Sequence, residues 1–222
     1  MQNQPLIEFQ QLQCERDGRT LFAGLNFVIR SGDIVQIEGP NGSGKTTLLR
    51  ALTQLFPDYG GDILWQGKPI RQVMYDFRSH LVFIGHLPGI RKTLTPRENL
   101  RFLSSLQKEC SLQAIDDALA HVGLYGYEDM PGYQLSAGQN RRIALARLYL
   151  PQTADMGLWV LDEPYTALDI QGIEKLEQRF ADYVSGGGCI VMTSHQPPSI
   201  DNLRRLPLPD YRPLTQSVEV GE

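Results

Sequence analysis

The sequence lacks the features that mark several large classes of protein. Its 222 residues include only three cysteines, which show neither C-x-x-C nor metal-ligand spacing, so we expect no disulfide framework and no cysteine metal site. The formal net charge is −4 and no basic tract is present, which argues against a nucleic-acid partner. No apolar run approaches the roughly 20 residues that span a bilayer, so direct membrane insertion is not expected. A role at a membrane would therefore require a partner protein.

What is present is an alternation of strand-like and helix-like segments, which is typical of an α/β fold with a mostly parallel sheet covered by helices. Short apolar strands are predicted at 33–39, 80–85, 158–163 and 189–195. A helix is expected over 46–56, and "GDILWQGKPI" (61–70) indicates a small antiparallel element with a turn at Gly67. The polar, proline-rich stretch after Ile200 is expected to be extended.

Between about Thr95 and Gln134 the pattern becomes helical. In "TPRE", Thr95 is predicted as an N-cap and Glu98 as its reciprocal cap. Further on, two helices each show one apolar face. The first face comprises Leu112, Ile115, Leu119 and Val122, and the second comprises Ile170, Ile173, Leu176 and Phe180.

A glycine-rich segment between a predicted strand and a predicted helix fits the pattern G-x-x-x-x-G-K-[ST]. Such a loop points successive backbone N–H groups at phosphate oxygens, aided by the positive end of the helix. Lys45 would reach the β- and γ-phosphates, and the Thr46 hydroxyl would hold Mg²⁺. The sequence therefore predicts a nucleoside triphosphate site. Its residues are Gly39, Pro40, Asn41, Gly42, Ser43, Gly44, Lys45, Thr46 and Thr47.

Two adjacent acids follow the apolar run in "LWVLDEP" (158–164). A buried parallel strand delivers the residues at its end to the carboxyl edge of the sheet, where the phosphate loop also lies. Asp162 would anchor Mg²⁺ through its water shell. Glu163 would orient and polarise an attacking water. Taken alone, the pair could equally be solvated acids at a strand end, and the phosphate loop is what favours the catalytic reading.

The segment "LSAGQNRRIALARLYL" (135–150) resembles the signature motif of ABC-transporter ATPase subunits, and it precedes "LDEP" at the distance which that family shows. "TALD" (166–169) is similar to the family's D-loop, and His195 in "TSHQP" to its switch histidine. The resemblance extends from about Leu6 to Pro197. It implies a single ABC ATPase domain over 1–222. The expected parts are a P-loop NTPase core of RecA type at about 1–87 and 136–200, an antiparallel β subdomain, a helical subdomain at about 88–135 and a tail at 201–222.

The family resemblance also implies how such a chain would work. Two copies would form a head-to-tail homodimer with two ATP molecules between them. Each ATP would contact the phosphate loop of one subunit and Ser136 and Gly138 of the other. His195 would contact the γ-phosphate, and Glu163 would be the catalytic carboxylate. Hydrolysis would separate the subunits and pass the motion to integral-membrane transporter subunits.

A narrower resemblance is carried jointly by "LQCERDGRTLFAGLNF", "WQGKPI", "GHLPGI", "LTPRENL" and "SHQP". Together these stretches look like the ATP-binding subunit of the bacterial haem exporter of cytochrome c maturation. That likeness implies a peripheral location on the cytoplasmic face of the bacterial inner membrane. It also implies a role in delivering haem, or a haem-bound carrier, to c-type cytochromes.

Two positions depart from the family pattern. Where the family has an aromatic residue that stacks on adenine, this chain has Glu15 or Arg16, and the Arg16 guanidinium can stack on a base instead. Where the haem-exporter branch would have His-Gln-Pro-Gly, this chain has His86-Leu87-Pro88-Gly89. Leucine offers no oxygen to Mg²⁺ or to the attacking water. Three explanations remain open: His86 reaches in, a water fills the gap, or turnover is slow and depends on the partner; we favour the last two together.

Three other functions compete with this hypothesis. An ABC exporter for another small molecule would show the same motifs. A soluble ABC-type regulator acting on nucleic acid or ribosomes usually joins two cassettes in one chain, whereas this sequence has one. A P-loop kinase of a small metabolite needs no site for a neighbouring subunit's γ-phosphate, so the signature, "TALD" and His195 argue against it.

Overall fold

The computed structural model describes residues 5–105, 109–151 and 157–212. Its centre is a five-stranded, all-parallel sheet in the order β6-β7-β8-β3-β9. Every residue of β7 and β8 is buried, as expected for strands covered on both faces. The predicted mostly parallel α/β architecture is confirmed. The strands are β3 (Ile34–Glu38), β6 (Leu81–Ile84), β7 (Leu158–Asp162), β8 (Cys189–Thr193) and β9 (Arg204–Pro207).

A second, antiparallel sheet has the order β2-β1-β4-β5. Gln66 and Gly67, which link β4 to β5, have φ values of 49° and 77°. Positive φ at both positions is typical of the tight two-residue hairpin turn, so the predicted turn at Gly67 is confirmed. The strands are β1 (Pro5–Arg16), β2 (Arg19–Arg30), β4 (Tyr59–Trp65) and β5 (Lys68–Pro69).

Six α-helices are present in the described part of the chain. Those around the central sheet are α1 (Lys45–Leu52), α2 (Met74–Ser79), α5 (Ala137–Ala146) and α6 (Ile170–Ser185). The helix predicted over 46–56 ends earlier, at Leu52. Gln54 adopts a left-handed φ of 59°, and the N–H groups of Leu55 and Gln54 donate to the carbonyls of Arg50 and Ala51. That is the Schellman pattern, which ends a helix although no glycine or proline marks it in the sequence.

The remaining two helices, α3 (Pro96–Ser105) and α4 (Leu112–His121), form the helical insert. The predicted capping box is confirmed, because Thr95 N donates to Glu98 Oε2 at 2.9 Å and Glu98 N donates to Thr95 Oγ1 at 3.2 Å. Leu112 and Ile170, predicted on buried faces, are exposed because each is the first residue of its helix. The insert packs on α5 through a small core of its own. Its fully buried members include Leu100, Ile115, Leu119 and Ile143.

Residues 204–207 form a strand of the central sheet, although they fall in the stretch predicted as a tail; residues 213–222 of that tail lie outside the described ranges. Strand β9 pairs in parallel with β3 and forms the sheet's edge. Arg204 makes an ion pair with Asp33, and its guanidinium lies 4.8 Å from the centre of the Phe27 ring. Only Leu206 of this strand is buried, so the apolar pattern that identifies the other strands is missing.

Across the three described ranges, no helix combines the length and apolar character needed to cross a membrane. The parallel strands β3, β7 and β8 all end at the same edge of the sheet. That edge brings together the phosphate loop after β3, the acids at the end of β7 and the residues after β8. Ligands of open α/β sheets bind at this carboxyl edge.

Candidate nucleotide-binding site

The loop between β3 and α1 has the backbone conformation of a phosphate cradle. Gly39, Gly42 and Gly44 have φ values of 150°, 78° and 100°, where L side chains are strained. A Cβ at Gly39 would lie 2.6 Å from Ser43 Oγ. Lys45 Nζ curls back over the loop and donates to the carbonyls of Gly39 at 2.6 Å and Pro40 at 3.1 Å. The loop thus places the ammonium group of Lys45 next to a turn whose positive φ values require glycine.

Ser43 lies beneath this loop and is 1% exposed. Its backbone N–H donates to Pro40 O at 3.2 Å. Within the part of the chain that the structure describes, its buried Oγ has no hydrogen-bond partner. A buried hydroxyl without a partner is costly, which suits a position that gains one from a bound anion.

Thr46 and Asp162 meet at the floor of the site. Thr46 Oγ1 donates to Asp162 Oδ2 at 3.3 Å, and Thr193 Oγ1 donates to Asp162 Oδ1 at 2.7 Å. The Asp162 carboxylate is 4% exposed, so both of its oxygens are fixed by threonine hydroxyls from α1 and β8. Two oxygen groups at this separation match the hard donors that Mg²⁺ prefers.

Glu163 follows directly and has a left-handed φ of 53°, a strained conformation for a non-glycine residue. Its N–H donates to Thr193 Oγ1 at 3.1 Å. Its carboxylate, 16% exposed, accepts from the His195 N–H at 3.0 Å through Oε2, and Oε1 lies 3.6 Å from His195 Nε2. The structure therefore brings the two predicted catalytic side chains into contact.

One functional neighbour that the motifs did not reveal is Arg141, on α5. It is 5% exposed, and its two terminal nitrogens donate to four backbone carbonyls. Nη1 reaches Gly85 O at 2.5 Å and His86 O at 3.4 Å, while Nη2 reaches Asp162 O at 2.8 Å and Glu163 O at 3.1 Å. Burial lowers the pKa of the Arg141 guanidinium from its usual value, and the negative charges of Asp162 and Glu163 oppose that shift.

These residues line a cavity of about 580 Å³ at the sheet edge. Of the residues singled out from the sequence, its wall contains Arg16, Asn41, Gly42, Gly44, Lys45, Thr46, Thr47, Asp162, Glu163 and His195. Gly39, Pro40 and Ser43 are not among the lining residues; the carbonyls of Gly39 and Pro40 accept from Lys45, and Ser43 N donates to Pro40 O within the loop. The wall also contains Asp17 and Leu21, which no motif indicated, His86, which one of the three explanations for the missing glutamine invokes, and Thr166, the first residue of "TALD".

Two positions that depart from the family pattern lie at the mouth of this cavity. The Arg16 side chain is 60% exposed, with Nε 3.4 Å from Asp17 Oδ2, so its guanidinium plane is free to meet a base. His86 is part of the cavity wall, whereas its neighbour Leu87 is 80% exposed and is not among the lining residues. Within this loop, the residue that lines the cavity is therefore His86.

Ser136 and Gly138 do not line the cavity of their own chain. Ser136 is the N-cap of α5: its Oγ accepts from Gln139 N at 3.1 Å, and its own N–H donates to Gln139 Oε1 at 2.8 Å. Ser136 is exposed and Gly138 half-buried, so the N-terminus of this helix faces outward. The structure thus separates the signature residues from the phosphate loop of the same chain.

Little in the sequence indicates the contacts that Arg141 and Thr193 make. Arg141 is the first of two adjacent arginines in α5, and nothing local distinguishes it from the more exposed Arg142. Thr193 lies inside the strand predicted at 189–195 and is the last residue of the observed β8. A register that sets β8 beside β7 would have predicted its pairing with Asp162, which the structure contains.

A family model described as "ABC transporter" matches residues 22–166. The cytochrome c biogenesis ATP-binding export protein CcmA of Salmonella typhi is 49% identical over 205 residues, covering 91% of this chain and 97% of that protein. CcmA of Escherichia coli K12 is 47% identical over 209 residues, with coverages of 93% and 98%.

Solved structures agree with this match. An ABC transporter ATP-binding protein from Pyrococcus furiosus superposes with a TM-score of 0.78 at 25% identity, over 93% of this chain and 99% of that chain. An ATP-binding cassette in its ADP conformation gives a TM-score of 0.68 at 20% identity, over 88% and 83% of the two chains, and shares the fold. The chain therefore belongs to the ABC transporter family, and within it to the cytochrome c biogenesis ATP-binding export proteins.

Proposed function

We propose that this ABC ATPase drives the export step of bacterial cytochrome c biogenesis, with haem or a haem-bound carrier as the cargo. The observation that carries the proposal is one cavity lined by Lys45, Thr46, Asp162, Glu163 and His195 at the carboxyl edge of the sheet. The identity to two CcmA proteins over nearly the whole chain supports the cytochrome c assignment. The haem cargo rests on the resemblance of the short stretches named above.

ATP would bind with its phosphates over the loop at 39–47. Lys45 would exchange the Gly39 and Pro40 carbonyls for phosphate oxygens, and the buried Ser43 hydroxyl would gain the partner it lacks among the described residues. The loop's backbone N–H groups and the N-terminus of α1 would hold the remaining charge. Arg16 would stack on the base at the mouth of the cavity.

Thr46 and Asp162 would hold Mg²⁺, Thr46 through its hydroxyl and Asp162 through the water shell. When bound, Mg²⁺ neutralises the charge that develops on the transferred phosphoryl group. Thr193 keeps the Asp162 carboxylate in one orientation through the 2.7 Å bond from its hydroxyl. This support matters because Mg²⁺ tolerates little departure from octahedral geometry.

Glu163 would accept the proton of the attacking water, as a positioned general base. The main-chain N–H of His195 donates to that carboxylate, and the hydroxyl of Thr193, at the end of β8, accepts from the Glu163 backbone N–H. The His195 imidazole, 63% exposed in one chain, would contact the γ-phosphate. Both roles are assigned by the family pattern and supported by the 3.6 Å separation of His195 Nε2 and Glu163 Oε1.

A homodimer would complete the site. Ser136 and Gly138 face away from their own cavity, and they lie at a helix N-terminus, where backbone N–H groups attract anions. In a head-to-tail pair they would face the γ-phosphate held by the other copy. Integral-membrane transporter subunits at the bacterial inner membrane would bind on the cytoplasmic side, near the loop of the exposed Leu87 and the helical insert.

The proposal is tested by complementation in a bacterial strain lacking this chain, with covalently bound haem in c-type cytochromes as the readout. Glu163→Gln is expected to fail to restore bound haem and to slow ATP hydrolysis by the purified protein about 100-fold or more, the scale of losing a general base. Glu174→Gln, the same change at an exposed position on α6, is the matched control and is expected to restore both.

Different failures point to different functions. If deletion of the chain leaves bound haem unchanged while the purified protein still hydrolyses ATP, the cargo is another small molecule. If radiolabel from ATP passes to a metabolite and not to water, the chain acts as a kinase and the transport function is wrong. If Glu163→Gln hydrolyses ATP as the wild type does, Glu163 is not the base.

A further inference from the structure

The hydrogen-bond ladder between strands β6 and β7 ends just before the nucleotide site. Strands β6 and β7 are neighbours, and their last paired residues are Ile84 and Leu161. Beyond that pair β6 turns into the loop at 85–89, and β7 ends at Asp162 and the strained Glu163. The carbonyls just past the end of the ladder are those that Arg141 binds.

Arg141 therefore continues the connection between the two strand ends by a side chain. One terminal nitrogen serves the loop carbonyls of Gly85 and His86, and the other serves the carbonyls of Asp162 and Glu163. The planar guanidinium holds its N–H donors in fixed directions, so it can donate to the carbonyls of both strand ends at once. Its Nε is buried without a partner among the residues described, so burial of this group is costly unless the terminal nitrogens compensate.

The hydrogen bonds of Arg141 connect three parts of the molecule: helix α5, the loop at 85–89 and Glu163. Arg141 belongs to α5, which begins at the exposed Ser136. The loop at 85–89 contains the exposed Leu87 and the cavity-lining His86. Glu163 carries the carboxylate that faces His195. Because the Arg141 guanidinium binds both the loop and the Glu163 carbonyl, a displacement of the loop or of α5 would be transmitted to the Glu163 backbone.

We propose that Arg141 is a positioning residue that ties the loop at 85–89 and the signature helix α5 to the catalytic carboxylate, so that movement of either one changes the placement of Glu163. The inference rests on the proposed ATPase function, because Glu163 is the group whose position matters. Arg141 itself contacts no substrate. Its substitution should therefore change the rate of the chemical step and leave ATP binding intact.

The test compares Arg141→Lys with Arg147→Lys in the purified full chain. Arg147 is a half-buried arginine immediately after α5, and it donates to Phe83 O inside β6 at 3.0 Å. Lysine keeps the charge but cannot span both strand ends. Arg141→Lys is expected to lower kcat about 10- to 100-fold, the scale of a misplaced catalytic group. Its dissociation constant for ATP should stay within about twofold of wild type.

Amide hydrogen exchange supplies the readout that does not depend on ATP hydrolysis. Arg141→Lys should speed exchange in the segments 85–89 and 163–166 together, because both lose the same tether. Arg147→Lys should lower thermal stability without that paired change and without the fall in kcat. If Arg141→Lys is too unstable to purify, Arg141→Gln, which removes the buried charge, takes its place.

The outcomes separate the inference from the proposed function. If the two segments exchange as in wild type, or if Arg147→Lys reproduces the paired change and the fall in kcat, Arg141 is only structural and the inference is wrong. If the wild-type chain hydrolyses no ATP under any condition, the proposed function fails. The exchange data still decide whether Arg141 links the two segments.

Discussion

At the scale of single residues, His86 and Leu87 take positions that the family pattern does not predict. Leu87 occupies the place expected for a glutamine, yet it is 80% exposed, while the preceding residue, His86, lines the cavity. An imidazole can donate or accept a hydrogen bond and leucine can do neither. The first of the three explanations for the missing glutamine, in which His86 reaches in, therefore predicts a loss of activity on substitution of His86.

We expect His86→Ala to lower the ATPase kcat/KM of the purified protein about 10- to 100-fold, because a hydrogen bond to a charged group contributes about 1.5–3 kcal/mol. Leu87→Ala, the neighbouring exposed position, is the control and should leave that rate unchanged. Steady-state ATPase assays measure both. A neutral His86→Ala together with a rate increase in Leu87→Gln would show that position 87, and not 86, faces the reaction.

At the scale of elements, α4 and α5 begin in the same way and differ in their surroundings. Each has ten residues and a serine N-cap: Ser111 accepts from Ala114 N at 3.2 Å, and Ser136 from Gln139 N at 3.1 Å. Capping is the only role assigned to Ser111. Ser136 also belongs to the proposed site for the other subunit's γ-phosphate. The two serines form a matched pair within one chain.

Ser111→Ala and Ser136→Ala should each lower the free energy of unfolding by about 1 kcal/mol, since each removes one cap. Only Ser136→Ala should also lower ATPase activity, because only that hydroxyl faces the proposed dimer interface. Urea denaturation gives the stabilities, and an ATPase assay well below the unfolding midpoint gives the rates. Equal activities in the two variants would mean that Ser136 serves its helix and nothing else.

Elements also show which parts of the fold the sequence could predict. The residues 39–47 and Asp162, Glu163 and His195 were predictable as one group, because parallel strands deliver their carboxyl ends to a common edge. The end of α1 was not, since its Schellman turn uses Gln54 rather than glycine. Strand β9 was not predicted, because its single buried residue, Leu206, gives no alternation of apolar and polar positions.

The missed contacts share a physical cause at the level of the whole molecule. Arg141 binds a carbonyl 56 residues away at Gly85, and Thr193 binds a carboxylate 31 residues away at Asp162. Neither contact has a signature in the local sequence. Arg141 binds backbone carbonyls, which every residue has, and Thr193 meets Asp162 only because of the register between β8 and β7. Motifs and their spacing predicted groups that line the cavity, and tertiary packing determined which groups hold them in place.

In the proposed homodimer, each nucleotide site would be completed by the other copy, and the last prediction tests this arrangement. Lys45 and Glu163 line the cavity, while Ser136 and Gly138 face outward from the same chain. Glu163→Gln should preserve ATP binding but block its hydrolysis, so it should accumulate the ATP-bound dimer. We expect size-exclusion chromatography with light scattering to give a dimer for this variant with Mg²⁺ and ATP, and a monomer with ADP or after chelation of the metal.

Gly138→Asp in the Glu163→Gln background separates dimer formation from folding. A Cβ at Gly138 would lie 3.6 Å from the Ala167 Cβ, an ordinary contact, so the fold has room for it. A carboxylate at the second position of α5 stabilises the helix by about 0.3–1 kcal/mol through the helix dipole. The same charge would repel the other subunit's γ-phosphate. The double variant should therefore be as stable as its parent and remain monomeric with ATP. Dimers that form equally with and without this aspartate, or without nucleotide, would contradict the head-to-tail arrangement, because the interface would then lie away from the signature residues.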